Sequence, residues 1–488
     1  MLRNLFQFVF VVTGFLASLS LAADGPQRDY DLLLKNFRLV DVESGQVRDG
    51  QLLLIEGNRI AAILPAAQQA EVAAKEVVDL GGNYLIPGLW DMHVHFEGRD
   101  LIEDNALLFP VYLAYGITAV RDAASDLAPE VLNWRTEVAE RKRLGPRIFT
   151  AGQKFEGIDS IWKGDLEVGD RASMLAGMDK LEKMNVDFIK ITENTMDPQL
   201  FIDTVAEANH RGHLVSTHVP YGVSIGELAD AGLSSIEHAS YVLRLGNADE
   251  AAIAKAVRAG ELSKEVAAER YRAGFDQRQA IEGYRMLAQK GVAVTPTLIG
   301  GRQLAYLAET DHSDDAFQRY LTQRFMSKYQ WRIDRMAGEG DKEREARKAR
   351  YQLIASQLPL LADAGVVLLA GSDSAALNTY VYPAEALHTE LVLFQEAGLS
   401  PLQALQAATV NGARFMGQWR DYGSIAEGKR ADLVVLTRNP LEDIRATQDI
   451  DSVISGGTLY RRPKLDSMLE QAAQARAKLD SSREAAGR

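Results

Sequence analysis

The chain has 488 residues, 47% of them hydrophobic, with no cysteine and a formal net charge of -13. That length and apolar content support a large core and more than one domain, while the acidic balance argues against nucleic acid, whose phosphates demand a basic surface. Without cysteine there are no disulfides, thiolate metal sites or cysteine nucleophile, so any metal must be held by His, Asp, Glu or a modified Lys.

Residues 1–23 read as a secretory signal: Arg3 supplies the positive start, an apolar run follows from Leu5 to Leu21, and Ser20-Leu21-Ala22 offers small residues for cleavage. The alternative is a membrane anchor, for which the stretch is near the lower length limit. The signal reading places the mature protein outside the cytoplasm, in a bacterial periplasm, with no stable membrane anchor after processing.

Short strands are expected at 30–34, 37–40, 51–55 and 60–63, with a turn at Glu56-Gly57-Asn58, and a matching set returns at 431–436 and 453–457. Neither group makes a good core alone. The economical arrangement is one small β-sandwich domain built from both chain ends, residues 24–84 and 424–464.

Between them, over 85–423, strand-like and helix-like segments alternate, the pattern of a parallel α/β sheet. Strands are expected at 85–92, 117–121, 147–151, 188–191, 214–218, 235–238, 292–295 and 366–371. Eight is the number that closes a (β/α)8 TIM-type barrel. A doubly wound open sheet is the alternative, weakened because no Gly-rich phosphate loop follows the first strand. Two long polar helical regions, 247–289 and 305–357, interrupt the later part, and the mixed charges of 341–348 read as a solvated helix face. Such insertions lie over the active-site end of a barrel, where they form a lid or an oligomer contact. Residues 465–488 read as a polar helical tail.

Chemistry concentrates at the expected strand ends. His93-Val94-His95 puts two imidazoles on one strand face, able to grip one divalent ion. Lys190, His218, His238 and Asp373 end or follow later strands. In a barrel every strand's C-terminal end faces one mouth, so these residues converge. Four of the eight histidines occupy such positions. The plainer alternatives are a lysine tip at a strand end, hydrogen-bonded core histidines, and a helix-capping aspartate. Of the other histidines, His210 and His213 read as structural, His312 as solvated in a polar loop, and His388 as scaffold.

The sequence resembles the amidohydrolase superfamily, and within it the dipeptidase and prolidase-like branch. The resemblance rests on Pro87-Gly88-Leu89-Trp90-Asp91-Met92-His93-Val94-His95, the strand-end set, Leu399-Ser400-Pro401-Leu402-Gln403-Ala404-Leu405 with Ala408-Thr409-Val410-Asn411, and the Gly423-Ser424-Ile425-Ala426-Glu427-Gly428-Lys429-Arg430-Ala431-Asp432 segment. It implies a binuclear centre: His93, His95 and Asp373 on a buried ion, His218 and His238 on a more exposed one, and Lys190, N6-carboxylated, bridging both. An unmodified ammonium has no lone pair to offer a cation, which makes chemical sense of the modification. Zinc suits these ligands, with manganese or cobalt as substitutes. Asp373 would take a proton from the attacking water and deliver it to the leaving group.

Substrate contacts are expected from Tyr221, Arg302, Tyr380 and Tyr382. The chain departs from the resemblance at Gln153-Lys154-Phe155-Glu156-Gly157, where many relatives carry a glycine- and histidine-rich loop. The implied activity is hydrolysis of amide or peptide C–N bonds in small substrates, dipeptides or N-acyl amino acids, by an exported homo-oligomer. The alternatives are ester, lactone or phosphoester cleavage by the same centre, or a non-catalytic scaffold, which would show gaps among the ligands.

Overall fold

A computed structural model describes residues 29–486. The signal reading of residues 1–23 lies outside the described residues. No helix among them is long and apolar enough to cross a membrane.

The leucine-rich ends of the chain form one eight-stranded sheet. Its strand order is Thr458–Arg461, Ile450–Ser455, Leu433–Leu436, Ala73–Pro87, Asp29–Asp41, Gln51–Glu56 and Arg59–Pro65, with Gln46–Arg48 paired to Asp29–Asp41. Leu32, Leu34, Leu53 and Ile55 are buried in one cluster and Leu33, Leu52 and Leu54 in another. Apolar cover on both faces explains why these strands read as continuous leucine runs rather than alternating ones. Both chain ends meet in this sheet as expected, but hydrogen bonds join all eight strands in one continuous sheet rather than two facing ones. The separate strands expected at 30–34 and 37–40 are a single strand, irregular between Lys35 and Phe37, where Asn36 adopts a left-handed φ of 53°.

The strand expected at 85–92 is also divided differently. Ala73–Pro87 belongs to the terminal sheet and pairs antiparallel with Leu433–Leu436, and Leu89–Val94 starts the parallel portion. Gly88 makes the crossing: a Cβ there would lie 2.2 Å from Thr118 Oγ1. The expected boundary after residue 84 therefore falls inside a strand.

The parallel portion comprises a three-stranded sheet, Leu89–Val94, Ile117–Asp122 and Arg147–Thr150, and a six-stranded one. The latter runs Leu166–Glu167, Phe155–Glu156, Ile189–Ile191, Val215–Thr217, Ser235–Glu237 and Ala293–Thr295. Backbone bonds connect the two: Asp187 N donates to Thr150 O at 2.9 Å on one side. On the other, Leu369 N donates to Val294 O at 2.9 Å and Met92 N to Ala370 O at 2.8 Å. The expected strand 366–371 is thus present only as one bridge, Val294 to Leu368, with a second, Val94 to Ser374, just beyond it. Close approach explains its irregularity, since a Cβ on Gly371 would sit 2.7 Å from His93 Cβ.

Helices flank these strands. Arg171–Lys183 and Pro198–His210 start at Asp170 and Asp197, whose carboxylates accept otherwise unpaired backbone N–H groups. The region 247–289 holds three helices, Glu250–Arg258, Lys264–Ala273 and Gln277–Lys290. The second insertion carries Leu298–Ala305, Gln330–Met336 and Asp341–Ala355 among its helices. The polar tail is a docked helix, Arg462–Ala486, with Leu465, Met468 and Ala472 buried and Arg483 paired to the buried Asp104 at 2.6 Å.

Candidate metal centre

Strand register delivers the site. His93 and His95 leave the same face at the C-terminal end of Leu89–Val94, and Lys190 sits inside Ile189–Ile191. His218 and His238 immediately follow Val215–Thr217 and Ser235–Glu237. His238 and Asp373 take left-handed backbone conformations, φ 70° and 55°, which turn their side chains out of the strand direction.

Each imidazole has its Nδ1 engaged. His93 Nδ1 donates to Glu237 Oε2 at 2.6 Å, His95 Nδ1 to Ala124 O at 2.8 Å, and His218 Nδ1 to Glu193 Oε2 at 2.6 Å. His238 Nδ1 lies 2.7 Å from the Thr297 hydroxyl. Carboxylate and carbonyl partners accept only, so at least three of the four neutral rings keep their lone pair on Nε2. Those Nε2 atoms face each other in two pairs, His93 with His95 at 3.2 Å and His218 with His238 at 3.1 Å. Asp373 Oδ1 lies 3.4 Å from His93 Nε2 and 3.3 Å from His95 Nε2.

Two unprotonated nitrogens at such range repel unless a cation lies between them. Ligands about 2.1 Å from a tetrahedral ion stand about 3.4 Å apart. The His93, His95 and Asp373 atoms match that spacing and form a group able to hold one ion. The His218–His238 pair stands alongside, with the His93 and His238 ring centroids 5.2 Å apart.

Lys190 lies among these groups and its Nζ is buried with no hydrogen-bond partner. Burial pushes its amine down to about 8, against the opposing pull of Glu237. A buried polar atom left orphaned in an otherwise satisfied site calls for a missing partner. Burial alone would raise the Asp373 carboxyl. Without an ion, protonation of the facing imidazoles is what holds it well below the usual carboxylate range, through a hydrogen bond from His95 and the charges of His93 and His238. A cation bound to the neutral rings would take over that role. The His93, His95 and Asp373 donor set therefore fits one divalent ion, with the His218–His238 pair and the orphaned Lys190 amine as candidate ligands beside it.

Several supporting residues escape a reading of the sequence. Glu237 accepts from His93, from Arg121 Nη2 at 2.8 Å, and from the Ser216 and Ser235 hydroxyls. Glu193 is clasped between His218 and the Tyr241 hydroxyl, at 2.5 Å from the latter. Against burial, His218 and Tyr241 bring Glu193 down to about 2. The available signal was a charge inside an apolar strand: Arg121 and Glu237 end strands that otherwise belong in the core, and a buried charge needs a partner.

A cavity of about 410 Å³ opens on His218, His238 and Asp373, walled by Arg332, Arg347 and Arg350 from the second insertion. The four expected substrate contacts do not line it. Tyr221 stacks on Tyr271 at 6.3 Å, and the Arg302 guanidinium lies over Tyr306 at 3.8 Å. Tyr380 stacks on His312 at 3.9 Å, and the Tyr382 hydroxyl donates to Asp315 at 2.8 Å. His312, expected to be solvated, is buried and bonded to Asp315 at 2.7 Å. Local spacing places a side chain near a strand end but does not say which way the following loop turns. His388, bonded to Thr447 and Tyr115, has a scaffold's surroundings.

A parallel α/β portion gathers histidines and an aspartate at its strand ends into a candidate metal site. The amidohydrolase family pattern matches residues 84–460, and the chain belongs to that family. Adenine deaminase 3 of Rhizobium meliloti (strain 1021) is 24% identical over 439 residues, covering 84% of this chain and 56% of that protein. Ochratoxinase of Aspergillus niger is 34% identical over 113 residues, 22% of each chain. The chain thus spans little more than half of the first of these relatives and under a quarter of the second. Among solved structures, bottromycin amidohydrolase shares the fold with a TM-score of 0.70 and 22% identity, over 91% of this chain and 90% of that one. A Xaa-Pro dipeptidase does so with a TM-score of 0.63 and 22% identity, over 88% and 99%.

Proposed function

We propose that this chain is a binuclear metal-dependent hydrolase of amide or peptide C–N bonds in small substrates, dipeptides or N-acyl amino acids. The observation that carries the reading is the pairing of four histidine Nε2 atoms, each ring turned by its Nδ1 partner, beside a buried lysine without one. The bonds linking residues 368–374 to both neighbouring strands support a closed (β/α)8 barrel, with the terminal sheet as its satellite domain. Export to a periplasm, and assembly as a homo-oligomer, complete the proposal.

His93, His95 and Asp373 would hold the inner ion and His218 and His238 the outer, zinc being the best match to neutral imidazole and carboxylate. Lys190 would bridge as its carbamate, formed when the neutral amine attacks carbon dioxide and releases a proton. An amine pushed down to about 8 supplies that neutral form near physiological pH. Two such ions, when bound, supply an activated water and a polarised scissile carbonyl. Asp373, held ionised at the cavity floor, accepts the proton of the attacking water on a carboxylate oxygen. It returns that proton to the leaving nitrogen, which departs as a neutral amine. Glu237 and Glu193 fix the ring orientations, and the insertion helices shield the cavity from bulk water.

The test is a panel of dipeptides, N-acyl amino acids and aryl esters with the purified, metal-loaded chain. Amide turnover is expected, and activity confined to esters would replace this reading by the esterase one. A second expectation concerns Thr297, whose hydroxyl holds His238. Thr297→Ala should weaken binding of one ion about 10- to 100-fold, the usual effect of losing a partner behind a ligating histidine. Competition with a chromogenic chelator measures this, and unchanged affinity for both ions would count against the role of His238.

A further inference from the structure

The metal ligands leave the charge on the opposite cavity wall unexplained. Among the described residues, Asp373 is the single carboxylate lining that cavity, and it is engaged with His93 and His95. Facing it are three guanidinium groups. Arg347 is neutralised by Glu339. Arg332 donates only to neutral oxygens, Leu377 O at 3.0 Å and Asn378 Oδ1 at 2.7 Å. Arg350 has no side-chain hydrogen bond or ion pair among the described residues.

The two unneutralised arginines line the same cavity as His218, His238 and Asp373. Arg332 is near enough to Asp373 for their charges to act on one another, whereas Arg350 stands toward Tyr241, which stacks on His218 at 5.6 Å. Arg272 adds positive charge on the Arg350 side. Arg350 projects from Asp341–Ala355, a helix with no buried residue, so core packing does not explain its place on the cavity wall. Like charges brought together around an open cavity repel one another through solvent, and an anion entering between them relieves that repulsion.

We infer that Arg350, backed by Arg332, receives a free carboxylate of the substrate and makes the site selective for amides bearing that acidic group beside the scissile C–N bond. This rests on the amide-hydrolase reading above. A planar guanidinium fork matches a carboxylate with two parallel N–H···O bonds, which fixes orientation as well as charge. Arg350 is solvent-exposed, so screening limits its contribution.

N-acetyl-leucine and N-acetyl-leucinol are suitable probes, since each has one amide bond and they differ in the carboxylate. The leucine side chain suits the apolar wall at Leu304 and Ile354. The wild-type chain should favour the acid, and Arg350→Ala should reduce the ratio of kcat/KM values (acid over alcohol) by about tenfold, chiefly through KM of the acid. Arg350→Lys should retain part of the preference. An unchanged ratio in Arg350→Ala overturns the assignment. If neither probe is cleaved, the amide-hydrolase reading is decided by the dipeptide and N-acyl amino acid panel, and calorimetric binding of N-acetyl-leucine decides the inference. Binding several-fold weaker in Arg350→Ala supports it, and equal binding, or none to the wild-type chain, overturns it.

Discussion

Lys190→Ala is expected to reduce bound metal from two ions per chain to one or fewer and to lower turnover by at least about a thousandfold, the scale of losing a preorganised electrostatic group. The two effects should appear together because the proposed bridge position would belong to both ions. Folding should survive the change. In the metal-free chain the Lys190 Nζ has no hydrogen-bond partner, and burial disfavours its charged form. Truncation therefore removes an unfavourable buried charge, while Glu237 loses an attractive one and a cavity opens at one of the largest fully buried side chains. These opposing effects leave a folded but metal-poor protein, and circular dichroism beside elemental analysis separates loss of metal from loss of fold. Lys190→Glu provides a permanent carboxylate and should recover part of the metal content. Two tightly bound ions with undiminished turnover in Lys190→Ala would overturn the bridged centre.

The residues of the candidate site were legible because strand-end placement in a parallel sheet turns sequence position into spatial position. His93 and His95 alternate on one strand, and Lys190, His218, His238 and Asp373 each sit where a strand meets its loop. Their partners were harder to see. Glu237 precedes His238 directly, and nothing in its neighbours says that it reaches back to His93, 144 residues earlier. The cavity wall was harder still. Arg350 follows a mixed charge run that reads as a solvated face, and helical periodicity does not distinguish bulk water from a water-filled cavity. Tyr380 and Tyr382 follow Asp373 closely, yet the chain turns through φ 58° at Tyr380 and sends both toward His312 and Asp315. In the terminal sheet, composition located the strands but not their ends, because a leucine run covered on both faces carries no register of its own.

Arg121→Leu should be the most destabilising single change in the parallel portion. The Arg121 side chain is fully buried and joins separate strands: its Nε donates to Met92 O at 2.6 Å and its Nη2 to Thr295 Oγ1 at 3.1 Å and to both Glu237 oxygens at 2.8 Å. The guanidinium also lies over the rings of Phe188 and Phe415, at 5.2 and 5.4 Å. Leucine fills much of the volume but abandons the Glu237 carboxylate in the interior, and breaking a buried pair from one side costs about 3–5 kcal/mol. Removing both charges is different, because no ion is then left uncompensated. Arg121→Leu combined with Glu237→Gln should therefore cost less than the sum of the two single changes, a coupling of about 1–3 kcal/mol readable from urea-unfolding midpoints of the metal-free chain. The same pair bears on the proposed metal centre. Glu237 holds the His93 Nδ1, so Arg121→Leu should weaken the inner metal position even where the chain remains folded, as the displaced carboxylate no longer fixes the ring. Strictly additive stabilities, with inner-ion affinity unchanged, would mean that Arg121 and Glu237 act independently and that the imidazole is oriented by packing alone.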